Sequence, residues 1–196
     1  MGLPDSFERV SVHFAPEPVW HTWALSDHYQ GGFQSDARSR TYLGELVYRA
    51  KYQHDRAALE QLDIAVRHCT LQLKNMPPQV DGLAMVTAVA AVPCNPPKAV
   101  SVPHRIAAAA AAALGVPDIS AAIVKTQRTD PAKVHAGLHR NAYRVQTLRP
   151  GSSVLIVDDV FRTGATLESV AGQLRAAGAT HVVGMCVTKA HQGMAI

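Results

Sequence analysis

Cysteine is scarce in this sequence, and its three copies, Cys69, Cys94 and Cys186, stand far apart. An odd number at such spacings argues against a disulfide framework, and no pair has the spacing of a zinc knuckle. Charge is also sparse, 17% of residues against 47% hydrophobic, which excludes a disordered chain and leaves a globular one. The net charge of +4 is too small a surplus to select nucleic acid over an anionic small molecule as a partner. Long apolar runs are missing. The longest small-apolar stretch, Ile106 to Leu114, falls short of the roughly 20 residues that span a bilayer. The start, MGLPDSFERVSVHF, lacks a basic segment followed by an apolar core, so no secretory signal is expected and the expected compartment is the cytoplasm. No internal repeat is present, and the histidines outside the basic stretch that holds His135 and His139 are read as ordinary, without metal-ligand spacing.

What is there reads as one domain of 196 residues behind an arm. Residues 1–40 hold Pro4, Pro16, Pro18, Gly31-Gly32, Trp20 and Trp23, and read as an irregular or short-stranded arm. Its aromatics are expected to pack on the body, with stacking on a ligand base as the alternative. In the remainder, 41–196, Tyr42, Leu43, Leu46 and Val47 share one helical face, and a second helix runs through Leu59, Leu62, Ala65, Val66, Cys69 and Leu73 to Pro77-Pro78. Leu83 to Val92 reads as a buried strand. A helix follows, with Ser101 as cap, Pro103 in its first turn, seven alanines and Gly115 past its end. Ile119 to Lys125, Ser153 to Val157 and His181 to Val187 read as strands, and Leu167 to Ala177 as a helix closed by Gly178. Thr126 to Arg149 is long, polar and basic. Alternating strands and helices imply an α/β protein with a mostly parallel sheet covered on both faces.

The most informative segment is VLIVDDVFRTGATLESV, Val154 to Val170. An aliphatic strand ends in Asp158 and Asp159; a short loop, Thr163-Gly164-Ala165-Thr166, leads into a helix. Ligands of open parallel sheets bind at the carboxyl ends of the strands. A helix start behind a small-residue loop offers unpaired N–H groups and the positive end of a dipole, which suits phosphate. Carboxylates would repel that phosphate but accept hydrogen bonds from sugar hydroxyls. A phosphorylated ribose meets both demands. A P-loop would need Gly-Lys-Ser/Thr where this chain has Ala165-Thr166-Leu167, and a dinucleotide fingerprint would need three spaced glycines where only Gly164 stands.

This string resembles the 5-phosphoribosyl-1-pyrophosphate (PRPP) motif of type I phosphoribosyltransferases. Tyr42 to Asp55, with its Lys-Tyr ending, Val92-Pro93 followed by Lys98, and Thr129, Leu138, Arg140 and Asn141 further resemble the competence protein F (ComF) family. Two departures stand out. No cysteine precedes Cys69, where that family carries a zinc module, and Val100 to Arg105 replaces its Arg-Gly-Phe-Asn-Gln string.

The resemblance implies a type I phosphoribosyltransferase fold: a twisted, mostly parallel sheet, helices on both faces and a small hood at the chain ends, to which 1–40 and Lys189 and His191 would contribute. It implies that Asp158 and Asp159 hold the ribose hydroxyls as the catalytic pair, and that Arg162, Thr163, Gly164, Ala165 and Thr166 wrap the 5-phosphate. It places the pyrophosphate at Cys94, Asn95 and Lys98, with Arg105 a further nearby cation and an unusual peptide geometry at Cys94-Asn95. It makes Lys125, Arg128, Lys133 and Arg140 a basic flap that closes over substrate. The expected reaction is transfer of phosphoribosyl from PRPP, with Mg²⁺, to a nitrogenous acceptor, by a homodimer that supplies few direct metal ligands, none of them assigned to a residue. Two other functions stay open at this level: a PRPP sensor without turnover, and a DNA-uptake accessory of ComF type.

Overall fold

The structure is a computed structural model that describes residues 8–12, 20–30, 39–76, 83–94, 101–126 and 142–190. Its centre is a five-stranded sheet in the order β1-β2-β7-β6-β3. The strands are β1 (Glu8–Val12), β2 (Trp20–Asp27), β3 (Ala88–Ala91), β6 (Ser152–Phe161) and β7 (Ala179–Lys189). The β2–β7, β7–β6 and β6–β3 pairs are parallel, and β1 alone runs antiparallel, beside β2. A separate antiparallel pair joins β4 (Ile123–Lys125) to β5 (Tyr143–Val145).

The centre of β6 shows why the sheet is two-sided. Val154, Leu155, Ile156 and Val157 are all fully buried, and alternate residues enter different clusters. Leu155 and Val157 pack with helices α1 (Tyr42–Tyr52), α2 (Arg56–Lys74) and α3 (Val102–Leu114). Val154 and Ile156 pack with α4 (Ala165–Ala176) and the β4–β5 pair. A strand with both faces covered needs a continuous apolar run, and β6 has one. On α3 the small side chains of Ala107, Ala109, Ala110 and Ala111 are buried against the first cluster, where alanine permits close approach while favouring helix. Gly115 closes that helix at φ 73°, a left-handed conformation open to glycine without penalty.

Three expectations change in detail. The run Leu83 to Val92 is a strand only over Ala88–Ala91, with a 3₁₀ turn at Leu83–Met85. Pairing begins where Thr87 N–H donates to Ser153 O at 2.8 Å, close to the start of β6; upstream of that point no described strand lies beside it. In Ile119 to Lys125 only Ile123–Lys125 is strand. Asp118 Oδ1 accepts from Ser120 N at 2.9 Å, which folds Ser120–Ala122 into a 3₁₀ turn, and Ser120 Oγ then accepts from Ala91 N at 2.8 Å. Ser101 occupies the N-cap position of α3 but makes no capping bond. Its hydroxyl lies instead 3.0 Å from Cys94 Sγ and 2.8 Å from His104 Nδ1.

The stretch 1–40 contributes β1 and β2 to the central sheet, and Trp23 is buried in its core. Among the described residues no helix is long and apolar enough to cross a membrane.

Candidate functional site

The carboxyl ends of β2, β7, β6 and β3 lie along one edge, because these strands are parallel. There β6 delivers its acids to opposite faces. Asp159 continues the parity of Leu155 and Val157, so it meets the α1 side; Asp158 continues that of Val154 and Ile156.

Asp159 is 5% exposed, and its Oδ2 lies 2.8 Å from Lys51 Nζ. Burial works to lower the Lys51 pKa, but the charge and hydrogen bond of Asp159 outweigh it and hold the ammonium above its ordinary value. Asp158 is half-buried, and its Oδ1 accepts from Asp159 N–H at 2.8 Å. Burial, then the neighbouring Asp159 charge, push the Asp158 carboxyl up to about 8. The two acids are therefore unequal: one sits in a covered ion pair, and the other retains its proton near neutrality.

The shift of Asp158 has a consequence for stability. Between the ordinary 3.8 and about 8, the native state holds a proton that the unfolded chain has lost. The unfolded state binds fewer protons in that window, so this group's contribution to stability falls as pH rises through it. Asp158→Asn, which imitates the protonated acid, should gain in melting temperature over the wild type as pH is raised from about 5 to about 8. A constant difference across that range would show that Asp158 titrates normally.

After β6, Gly164 at φ 79° turns the chain into α4 and stands at its N-cap. A side chain there would be strained, and a glycine allows the backbone to come close to a ligand. Leu167, 2% exposed, anchors the helix start in the cluster of Val154 and Ile156. Thr163 Oγ1 lies 3.4 Å from Ala165 N. Arg162 and Thr163 are exposed, Ala165 and Thr166 half-buried. The first-turn N–H groups of a helix have no partner within their own helix, so α4 presents donors beside the acids.

On the β3 side, Cys94 is half-buried. Burial pushes its thiol up, against the hydrogen bond from Ser101, and Asp159 and Asp158 add to the rise, so it stands as a neutral thiol. Lys125 lies at the end of β4 with Nζ 5.5 Å from the Tyr143 ring. Burial lowers the Lys125 pKa while Cys94 and Asp158 oppose the fall. Burial and then Asp158 raise Tyr143 to about 12. Asp158 and Cys94 thus act on Lys125, and Asp158 acts on Cys94. Arg105 turns away to pair with Asp63 of α2. Asn95, Lys98, Arg128, Lys133, Arg140 and His191, and with them the Cys94-Asn95 peptide, lie outside the described residues.

Two residues of the site went unassigned in the sequence. Lys51 follows Val47 by one helical turn, so it is a cation on the apolar face of α1, and that misfit is the signal that could have found it. His28, 1% exposed just after β2, places Nδ1 2.9 Å from Thr188 Oγ1, while its Nε2 is buried without a hydrogen-bond partner among the described residues. Burial lowers its pKa, with Arg40 adding to the fall.

No curated protein matches the sequence. Among solved structures the chain is similar to adenine phosphoribosyltransferase from Leishmania tarentolae, at 16% identity over 74% of this chain and 72% of that one, with a TM-score of 0.46. It is also similar to the enzyme of that name from Leishmania donovani, at 18% identity over 70% and 54%, with a TM-score of 0.43. The family model of the phosphoribosyl transferase domain matches residues 104–193. That match covers the strand, the two acids, the loop and the helix of the site, and with the parallel order β7-β6-β3 it gives the chain the α/β fold of a type I phosphoribosyltransferase.

Proposed function

We propose that this chain binds PRPP as its magnesium complex and transfers the phosphoribosyl group to a nitrogenous acceptor, releasing pyrophosphate. The observation that carries this reading is the junction of β6 and α4, where a diol-accepting acid pair and a phosphate-accepting helix start are separated by one short loop.

In this reading Asp158 and Asp159 receive the ribose hydroxyls, and residues 162 to 166 receive the 5-phosphate through backbone N–H and threonine hydroxyl groups. The bond from the anomeric carbon to the pyrophosphate oxygen breaks and a bond from that carbon to the acceptor nitrogen forms, through a state of oxocarbenium character. Cys94, Asn95 and Lys98 stand on the pyrophosphate side. Lys125, Arg128, Lys133 and Arg140 form a flap that excludes water from the reactive centre. The hood, which reads the acceptor, would draw on the residues after Val187 and on parts of 1–40 other than β1 and β2, which belong to the central sheet. The ComF-like features and a homodimer belong to the same proposal.

Among the described residues no group of three or more His, Cys, Asp or Glu is placed to hold a metal ion. In this reading Mg²⁺ would arrive on the substrate phosphates, where it would neutralise charge on the departing pyrophosphate.

The test is PRPP consumption and pyrophosphate release with Mg²⁺ against a panel of nitrogenous bases. Turnover with at least one base is expected. Tight PRPP binding without turnover would replace the enzyme with a sensor, and absence of PRPP binding would remove both. A steep salt dependence of single-stranded DNA binding, in place of PRPP binding, would favour the DNA-related role.

A further inference from the structure

Lys51 reaches the acids because α1 is fixed at its other end. Thr41 accepts from Gly44 N at 3.1 Å and its hydroxyl donates to Asp27 O at 2.5 Å, tying the start of α1 to the end of β2. Gly44 packs so closely there that a Cβ would stand 2.2 Å from His28 O. Seven residues further, about 10 Å along the helix axis, Lys51 leaves the last turn and closes on Asp159. The helix thus bridges the end of β2 to the end of β6 across the edge where ligands of parallel sheets bind.

We propose that Lys51 is a positioning residue of the diol site: by holding Asp159 in an ion pair, it fixes that carboxylate and sets the charge of the acid pair that meets the ribose hydroxyls. The inference rests on the PRPP reading and adds a third side chain to its diol site. Three facts carry it. The Asp159 side chain is 7% exposed, and Lys51 gives it an ion-pair partner at 2.8 Å. Asp158 is the more exposed of the two and spends one oxygen on the Asp159 N–H, which fixes its orientation. The Lys51 side chain is itself only 32% exposed and lies on the apolar face of α1, a costly place for an ammonium that had no task there.

The groups acting on Asp158 are Asp159 beside it, Lys51 from α1 and Lys125 from β4, while Asp158 in turn acts on Cys94 after β3, Tyr143 of β5 and Cys186 of β7. His28 at the end of β2 feels both Lys51 and Asp159. Lys51 and Lys125 favour the ionised acid, and Asp159 opposes it. Without Lys51 the acid pair would hold its proton to higher pH, and ligand binding that uses ionised Asp158 would follow.

The experiment compares wild type, Lys51→Met and Lys51→Arg as full chains. PRPP affinity with Mg²⁺ is measured by calorimetry from about pH 6 to about pH 9, and the Asp158 carboxyl is titrated by carbon-13 NMR without ligand. Lys51→Met should move both midpoints up by about 1 unit, and Lys51→Arg should restore them. A wild-type midpoint in Lys51→Met, or equal losses in Met and Arg with no movement of the midpoint, would overturn the proposal. Should Lys51→Met fail to fold, Lys51→Met combined with Asp159→Asn removes the stranded charge. That double variant should bind PRPP no more weakly than Asp159→Asn alone, and additive losses would overturn the proposal as well. A shifted NMR midpoint in a protein that does not bind PRPP would instead sink the PRPP reading and leave the effect of Lys51 on the acids standing.

Discussion

Asp158→Asn is expected to weaken PRPP binding by roughly 10- to 100-fold while leaving the fold intact. A hydrogen bond to a charged acceptor is worth about 1.5–3 kcal/mol, and the amide keeps the shape of the acid but cannot ionise to supply that acceptor when the ligand binds. The fold should survive because native Asp158 already favours its neutral form, with a pKa near 8, so an amide at this position resembles the state the protein stabilises by itself. Asp159→Asn should behave differently. It strands the Lys51 ammonium, so it should cost stability as well as affinity. That cost should fall short of the ~3–5 kcal/mol of a fully buried broken pair, because water reaches part of the lysine. Isothermal titration of PRPP with Mg²⁺ and thermal melts of both variants would separate the two behaviours. Wild-type PRPP affinity in Asp158→Asn would remove this acid from the site.

Gly44→Ala is expected to destabilise the protein by about 1–3 kcal/mol, towards the upper end of that range. On helix propensity alone the change would help, since alanine in a helix is favoured over glycine by about 1 kcal/mol. The close approach to β2 reverses the sign. The added Cβ would stand 2.2 Å from His28 O and 3.0 Å from His28 C, and both are backbone atoms that cannot rotate away. The helix must move instead, and Lys51 moves with it. The variant should therefore show a lower denaturation midpoint and, under conditions where it is folded, weaker PRPP binding. A midpoint equal to or above the wild type would mean that α1 does not sit on the end of β2 as described.

The part of the site that was legible in the sequence is the part whose chemistry is contiguous. Val154 to Leu167 holds a doubly buried strand, the acids, the loop and the helix start in one string, so local pattern and ligand chemistry reinforce one another. The helices α1 and α2 were legible for a similar reason, since their apolar faces repeat at the helical period. What lay hidden depends on distant partners. Nothing near Trp20 announces that β2 pairs with the last strand of the sheet, and its mixture of Thr22, Ala24 and Ser26 with Trp23 and Leu25 gives no clean alternation. Lys51 looked like an ordinary basic residue at a helix end until Asp159 arrived beside it. The apolar run at Leu83 promised a longer strand than forms, because a strand lasts only as long as its neighbour, and β6 begins at Ser152.

The pairing of β2 with β7 also governs the order in which the molecule can be assembled. The first strands of the chain can join the sheet only through its last strand, since β2 borders β1 on one side and β7 on the other. During synthesis the β1–β2 hairpin must therefore wait until residues 179–189 have left the ribosome, and α1, which is tied to the end of β2, waits with it. The acid pair would exist before that moment, but its lysine would not yet be in place. A nascent or truncated chain ending before β7 would carry the phosphate loop and lack the device that sets the charge of the acids beside it, so ligand binding would report on completion of the chain.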